Sequence, residues 1–160
     1  LGDVYKRQIF LNAKALYLNS NLQLFADGTP GSTPSNLQTH AGAGGGAAGA
    51  ILLIAQQQPS GSSYNLIASA SGGAGSSLST STTYPATKSA GGGGSGGFFI
   101  FKKCTSGGIT QIATPTVNAT GGLGGQAYPS TLQGYAGGAG INVTIPDSDY
   151  TNPNSPCYAP

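Results

Sequence analysis

Apolar residues in this chain come in short bursts, separated by long stretches of small and polar residues. Ile51-Leu52-Leu53-Ile54 and Phe98-Phe99-Ile100-Phe101 are continuous, and Ile141-Asn142-Val143-Thr144-Ile145 alternates. Shorter alternations occur at Leu22-Gln23-Leu24-Phe25, Leu66-Ile67-Ala68 and Thr116-Val117-Asn118. Runs of this length, rich in β-branched and aromatic residues and bounded by Gly, predict strands. The alternation at 141–145 predicts one buried face. The continuous runs predict cover on both faces, the second from the Gly-rich segments.

The bursts recur. Ala26-Asp27-Gly28 closes at Gly31, Ala70-Ser71-Gly72 at Gly75, and Ala119-Thr120-Gly121 at Gly124. A Gly-rich segment then runs into an apolar one three times, over 45–55, 92–102 and 136–145. The connection 34–42 matches 129–137 in its Pro, Leu-Gln and Ala-Gly positions. The period is roughly 43 to 51 residues, within the range of solenoids and propellers. The segment 14–19, KALYLN, is expected to end a partial upstream copy.

These observations predict an all-β, repetitive, β-solenoid-like fold over 9–145. It would hold about three repeats of roughly 45 residues, at 22–65, 66–115 and 116–145. A Pro/Asn-rich tail follows over 146–160. One coil is expected from a strand to the next Ala-x-Gly, as in Ala50 to Gly72, with Gly73 to Gly96 left as an inserted loop. The Gly runs themselves allow two readings. They form packed, polyglycine-II-like arms with three residues per turn, or flexible Gly/Ser linkers.

Composition narrows the function. Charged residues make up 6% of the 160, and 28 are Gly, against about 25% and about 7% in ordinary soluble domains. The acids are Asp3, Asp27, Asp147 and Asp149, and the histidine is His40. Paired carboxylates, metal clusters and nucleophilic triads need more than this, so neither enzyme activity nor a cofactor is expected. A net charge of +2 gives no footprint for nucleic acid. No apolar run approaches the length of about 20 residues that membrane insertion needs. Residues 1–8, LGDVYKRQ, resemble the translation of a transposase adapter used in DNA library preparation, and are expected to lie outside the natural chain.

Individual motifs are weaker. Gly44-x-Gly46-x-x-Gly49 has the dinucleotide-fingerprint spacing, but a strand follows it where a helix is required. Asp147-x-Asp149 lacks a Gly-rich calcium repeat and reads as a solvated turn. Cys104 and Cys157 would close a loop of about 53 residues if paired in a secreted chain; otherwise they are two free thiols. Asn118-Ala119-Thr120 and Asn142-Val143-Thr144 are N-glycosylation sequons. The Ser/Thr run 76–83 has no counterpart in the other connections, which speaks against a regular ice-binding array. His40 aligns with Tyr135 and reads as a surface polar-aromatic position. Tyr84, Tyr128 and Tyr135 are the ligand-binding candidates, together with His40, because Tyr in Ser/Gly-rich loops gives rigid contact area and faces that stack on sugars.

The run of small residues and glycines into an apolar strand, returning through Ala-x-Gly-Gly-x-Gly, resembles the glycine-rich repeat surface and adhesin-like proteins. Phage tail-fibre adhesins and metagenomic cell-surface proteins are examples. The resemblance covers about residues 14–145. It implies an extracellular, cell-surface or virion location and binding of a cell-surface glycan or protein receptor through loops, here those around Tyr84, Tyr128 and Tyr135. The expected function is therefore an extracellular structural or adhesive repeat module. The alternative is a purely structural cell-wall or filament unit, a homo-oligomer stacked end to end.

Overall fold

Among the described residues seven short strands sort into two parallel sheets, and six of them carry the apolar bursts. The computed structural model describes residues 7–16, 20–33, 41–57, 65–78, 89–104, 114–127 and 130–147. The first sheet holds β1 (Gln8–Ala15), β3 (Ala50–Gln57), β5 (Phe98–Cys104) and β7 (Ile141–Asp147), in that order across the sheet. The second holds β2 (Leu22–Phe25), β4 (Leu66–Ser69) and β6 (Thr116–Asn118). Among the described residues the helical content is one 3-10 turn at Ser130–Leu132. The fold is all-β.

Lateral neighbours are sequence repeats. Gln8 lies opposite Ala50, Ala50 opposite Phe98, and Phe98 opposite Ile141. In the second sheet Leu22 lies opposite Leu66, and Ile67 opposite Thr116. The upstream strand is Gln8–Ala15, overlapping the 14–19 segment at its first two residues, while 17–19 lie outside the described residues. It begins inside the adapter-like segment: the Arg7 carbonyl accepts from the Ala50 N–H at 3.1 Å. Backbone pairing of this kind is indifferent to side chain, so the identity of residues 7 and 8 does not matter to it.

The two sheets face each other over a narrow core. Ile9, Ile51 and Phe99 share one row, and Leu11, Leu53 and Phe101 the next. Both rows pack on Leu22, Leu24, Leu66, Ala68 and Val117. Phe99, Phe101, Ile51 and Leu53 are the largest fully buried side chains, each contributing about 1.5–3 kcal/mol of apolar burial.

Two expectations about faces are overturned. The second face of the continuous runs is not fully covered: Phe98 stays 51% exposed, Leu52, Ile54 and Ile100 are half-buried, and Phe10 of β1, beside Leu52, is 65% exposed. In β7 the apolar set Ile141, Val143 and Ile145 is also exposed, and polar Asn142 and Thr144 take the register of Phe99 and Phe101. No strand of the second sheet lies beyond β6 among the described residues, so β7 has no apolar layer to pack on.

The Gly-rich segments are packed arms. Outgoing arms 26–33, 70–78 and 119–127 follow the strands of the second sheet. Returning arms 41–49, 89–97 and 133–140 precede β3, β5 and β7. Within each set the hydrogen bonds recur every third residue. Gly72, Gly75 and Leu78 donate to the carbonyls of Thr120, Leu123 and Gln126, and Gly42, Gly45 and Ala48 to those of Ser89, Gly92 and Ser95. Between the sets the direction reverses: Gly73 donates to Gly46 and Ser76 to Ala43, while Gly91, Gly94 and Gly97 donate to Ser76, Gly73 and Ala70. The described parts of the segment 73–96, which are 73–78 and 89–96, are therefore not an inserted loop. They belong to the same stack as the strands.

Space explains the glycines. A Cβ on Gly94 would strike the Gly46 carbonyl, on Gly73 the Thr29 carbonyl, and on Gly122 the Gly73 carbonyl. No described glycine has φ in the left-handed region. It is close backbone approach, not backbone conformation, that excludes a side chain.

Candidate functional site: the outer face of the returning arms

A chain that bonds to neighbours every third residue presents its side chains in three directions, and the burial pattern shows what each direction meets. In arm 89–97, Gly91, Gly94 and Gly97 are buried, and a Cβ on each would strike a carbonyl of arm 41–49, while Gly92 and Ser95 are exposed. In arm 70–78, Gly73 and Ser76 are buried and Ala74 and Ser77 exposed. Leu123 and Gln126 take the exposed direction in arm 119–127. In arm 119–127 the outward direction thus carries the long side chains, whereas arm 70–78 also buries Ser76 and Leu78.

On the returning arms this outward direction brings Gly44, Gly92 and Tyr135 into one row, and Ala47, Ser95 and Gly138 into the next. The row is fixed by Gly45 donating to the Gly92 carbonyl and Gly93 to the Tyr135 carbonyl, both at 2.8 Å. Tyr135 is 89% exposed. A Cβ on Gly92 would meet nothing nearer than the Tyr135 carbonyl at 3.5 Å, and one on Gly44 only the Gly92 carbonyl at 3.6 Å. Gly138 has nothing within 4 Å. A phenol ring therefore stands at the side of a bare peptide floor.

That floor has hydrogen-bonding capacity. Among the described residues, the N–H groups of Gly44, Gly92, Ser95 and Gly138 donate to no protein acceptor. An aromatic face beside a row of free N–H donors suits a ligand with one apolar face and hydroxyl or carbonyl groups at its rim. The matching position on the outgoing arms is Leu123, 75% exposed, which offers apolar area without a ring.

The arm geometry also rests on one carboxylate. Asp27 Oδ1 accepts from Ser69 Oγ at 2.6 Å and from the Ser71 N–H at 2.7 Å. It ties the start of the first outgoing arm to the end of β4. Repetition hides this role in the sequence, because Ser71 and Thr120 hold the equivalent positions.

Of the sequence-derived ligand-binding candidates, Tyr135 is the one among the described residues. His40, Tyr84 and Tyr128 lie outside the described residues, as does Cys157, whereas Cys104 closes β5. Asn118 and Asn142 are both exposed, and Asn118 Oδ1 accepts from the Thr120 N–H at 3.3 Å. Among the described residues no group of three His, Cys, Asp or Glu side chains gathers, and no helix is long and apolar enough to cross a membrane. Comparison of the chain with protein-family models, curated proteins and solved structures yields no match.

Proposed function

We propose that this protein is a non-catalytic, extracellular structural and adhesive module that binds a cell-surface glycan on the outer face of its returning arms. We read its architecture as a flattened β-solenoid with polyglycine-II-like arms. The three-residue hydrogen-bond period supports that reading, because it matches a helix of three residues per turn whose peptide groups bond only to neighbouring chains. One observation carries the functional reading: Tyr135 is almost wholly exposed beside Gly44 and Gly92, whose N–H groups have no protein partner among the described residues. A sugar ring stacks its apolar face on the phenol and directs its hydroxyls to the floor.

The test is a glycan array probed with the full chain, followed by solution affinities for the strongest ligand. Tyr135→Ala removes the ring from an exposed position, so it should weaken binding at least tenfold while leaving the melting temperature unchanged. Gly92→Leu fills the floor and should do the same. An array without specific ligands, or a ligand whose affinity ignores both substitutions, would refute the reading.

A further inference from the structure

The first sheet turns an apolar face away from the core. Its middle row is Phe10, Leu52, Ile100 and Val143. The row nearer the arms holds Ala50, Phe98 and Ile141, and the row farther from them Ile54, Lys102 and Ile145. Phe10 and Phe98 are 65% and 51% exposed, and Ile141, Val143 and Ile145 are 50%, 39% and 43% exposed. At about 200 Å² for a whole aromatic residue, the two rings expose about 230 Å² between them. The three β7 side chains bring the exposed apolar surface to about 500 Å², more than the few hundred that a monomer ordinarily shows and the mark of an interaction site. The alternation of β7 adds to this. It sets Ile141, Val143 and Ile145 outward and Asn142 and Thr144 inward, so the apolar residues of this strand serve the outer face instead of the core. The six apolar bursts of the sequence already lie in strands of the two sheets, and none is left over to cover that face.

The face is complementary to itself. A two-fold axis laid along the middle row, across the strands, brings a second copy over it with its strands antiparallel. The middle row then meets its own counterpart. Each residue of a flanking row meets the residue four positions along the same strand of the second copy. Ala50 lies under Ile54 and Ile141 under Ile145, while Phe98 lies under Lys102, whose methylene stem covers apolar surface as its ammonium reaches the rim. At the β1 border polar Gln8 lies opposite polar Asn12. Small residues thus meet large ones, and polar meets polar. Lys102 is the charged residue of these three rows, and the two-fold keeps its two copies on opposite flanks. An axis along the strands does worse on two counts. It sets Asn12 against Ile145, and it lays the returning arms of the two copies on each other, where the exposed Tyr135 ring stands in the way.

We infer that the outer face of the first sheet is the interface of a symmetric dimer of this chain, two copies packed sheet on sheet with their strands antiparallel. Sheets pack face to face about 10 Å apart and within about 30° of alignment, so all four strands of each copy are covered at once. The two apolar faces with their polar borders bury about 1,200 Å² in total, which reaches the size of a stable specific interface. A two-fold contact uses the same patch on both copies and is closed. Assembly therefore stops at two copies and does not draw on the sheet edges.

Sedimentation equilibrium of the full chain across the micromolar range is the test. The wild-type chain should fit a monomer–dimer equilibrium. Ile141→Lys and Ile145→Glu each bury an unpaired charge twice per dimer, and each should weaken association at least tenfold. Together they set every lysine against a glutamate of the other copy, so the double variant should associate at least tenfold more tightly than either single one. Val143→Lys brings like charges together on the axis and should leave a monomer. Leu123→Lys, at an exposed apolar position on the outgoing arms, should leave the dimer unchanged. Ile141 and Ile145 are exposed in the single chain, and a β-type circular dichroism spectrum shows that each variant folds; Phe10→Lys replaces any that does not. A monomer throughout, an open-ended series of oligomers, association indifferent to the single β7 variants, or a double variant no tighter than the singles would overturn the inference. So would a monomeric chain that binds phospholipid vesicles through this face, which would assign the face to a membrane surface.

Discussion

Replacing Gly94 with Ala tests whether the arms are a packed lattice. Gly94 lies in a central arm, its N–H donating to the Gly73 carbonyl at 2.9 Å and its carbonyl accepting from Gly122 at 2.8 Å. A Cβ there would run into the Gly46 carbonyl, which itself accepts from the Gly73 N–H at 2.9 Å. A methyl group sits comfortably at about 3.5 Å or more from its neighbours, so arm 89–97 must move away from arm 41–49. Three backbone bonds are strained or lost, at about 1 kcal/mol each, a cost of about 3 kcal/mol. For a chain of this size that lowers the melting temperature by about 6–12 °C. The control lies two residues away. Gly92→Ala adds the same methyl to an exposed position with 3.5 Å of clearance, and by restricting the unfolded chain it should stabilise by about 0.4–1 kcal/mol. Thermal denaturation followed by circular dichroism reads both. Equal shifts for the two variants, or a neutral Gly94→Ala, would refute close backbone packing and restore the flexible-linker reading.

Three further outcomes are expected. Ser76 Oγ is buried without a partner among the described residues, so Ser76→Ala should raise stability by about 1 kcal/mol, seen as a later urea midpoint at constant slope. Asp27→Ala removes the acceptor for two hydrogen bonds to a charged group and should cost about 2–3 kcal/mol in the same measurement; Asp27→Asn keeps an acceptor oxygen and should lose less. Phe99→Ala should cost about 3–5 kcal/mol, whereas Phe98→Ala, one residue away on the half-exposed outer face, should cost about 1 kcal/mol; calorimetry separates the two.

The strands at 50–57, 66–69 and 98–104 were legible because each combines an apolar run with bounding glycines. β1 was not, since IFLNAKA follows basic residues instead of a glycine run. The inner and outer faces of β7 were not legible either. Alternation shows that two faces differ but not which one meets the core. Only lateral register decides it, and register places Asn142 beside Phe99. The three-residue period of the arms was present in the sequence, for instance in Leu123 and Gln126 separated by paired glycines. It is faint because most outward positions are themselves Gly, Ala or Ser, which hides the direction that tolerates side chains. Tyr135 was readable as an exposed aromatic. The floor beside it was not, because Gly44, Gly92 and Tyr135 meet only through arm pairing, across connections of unequal length.

The division of labour within an arm explains why so little chemistry was visible. Two of its three directions are consumed by contact with neighbouring arms, and there a single methyl is already too large at Gly73, Gly94 or Gly122. Substitution in those directions therefore acts on stability before it can act on function. The outward direction is free, as Gly138 and Gly92 show by their clearance. Its positions recur every three residues, about 9 Å apart along an extended three-fold arm. A side chain in the outward direction changes the surface without disturbing the lattice, whose cohesion is almost wholly backbone. Under the proposed function, recognition could thus diversify at positions such as 44, 92, 95, 135 and 138 while the fold is held by peptide groups that no side chain defines. The same separation accounts for a chain with this much order and so few charged residues. Its stability is carried by hydrogen-bonded backbone and small apolar clusters, of which the larger lies between the sheets, and under the proposed function its specificity would fall to the few outward residues that the lattice leaves free.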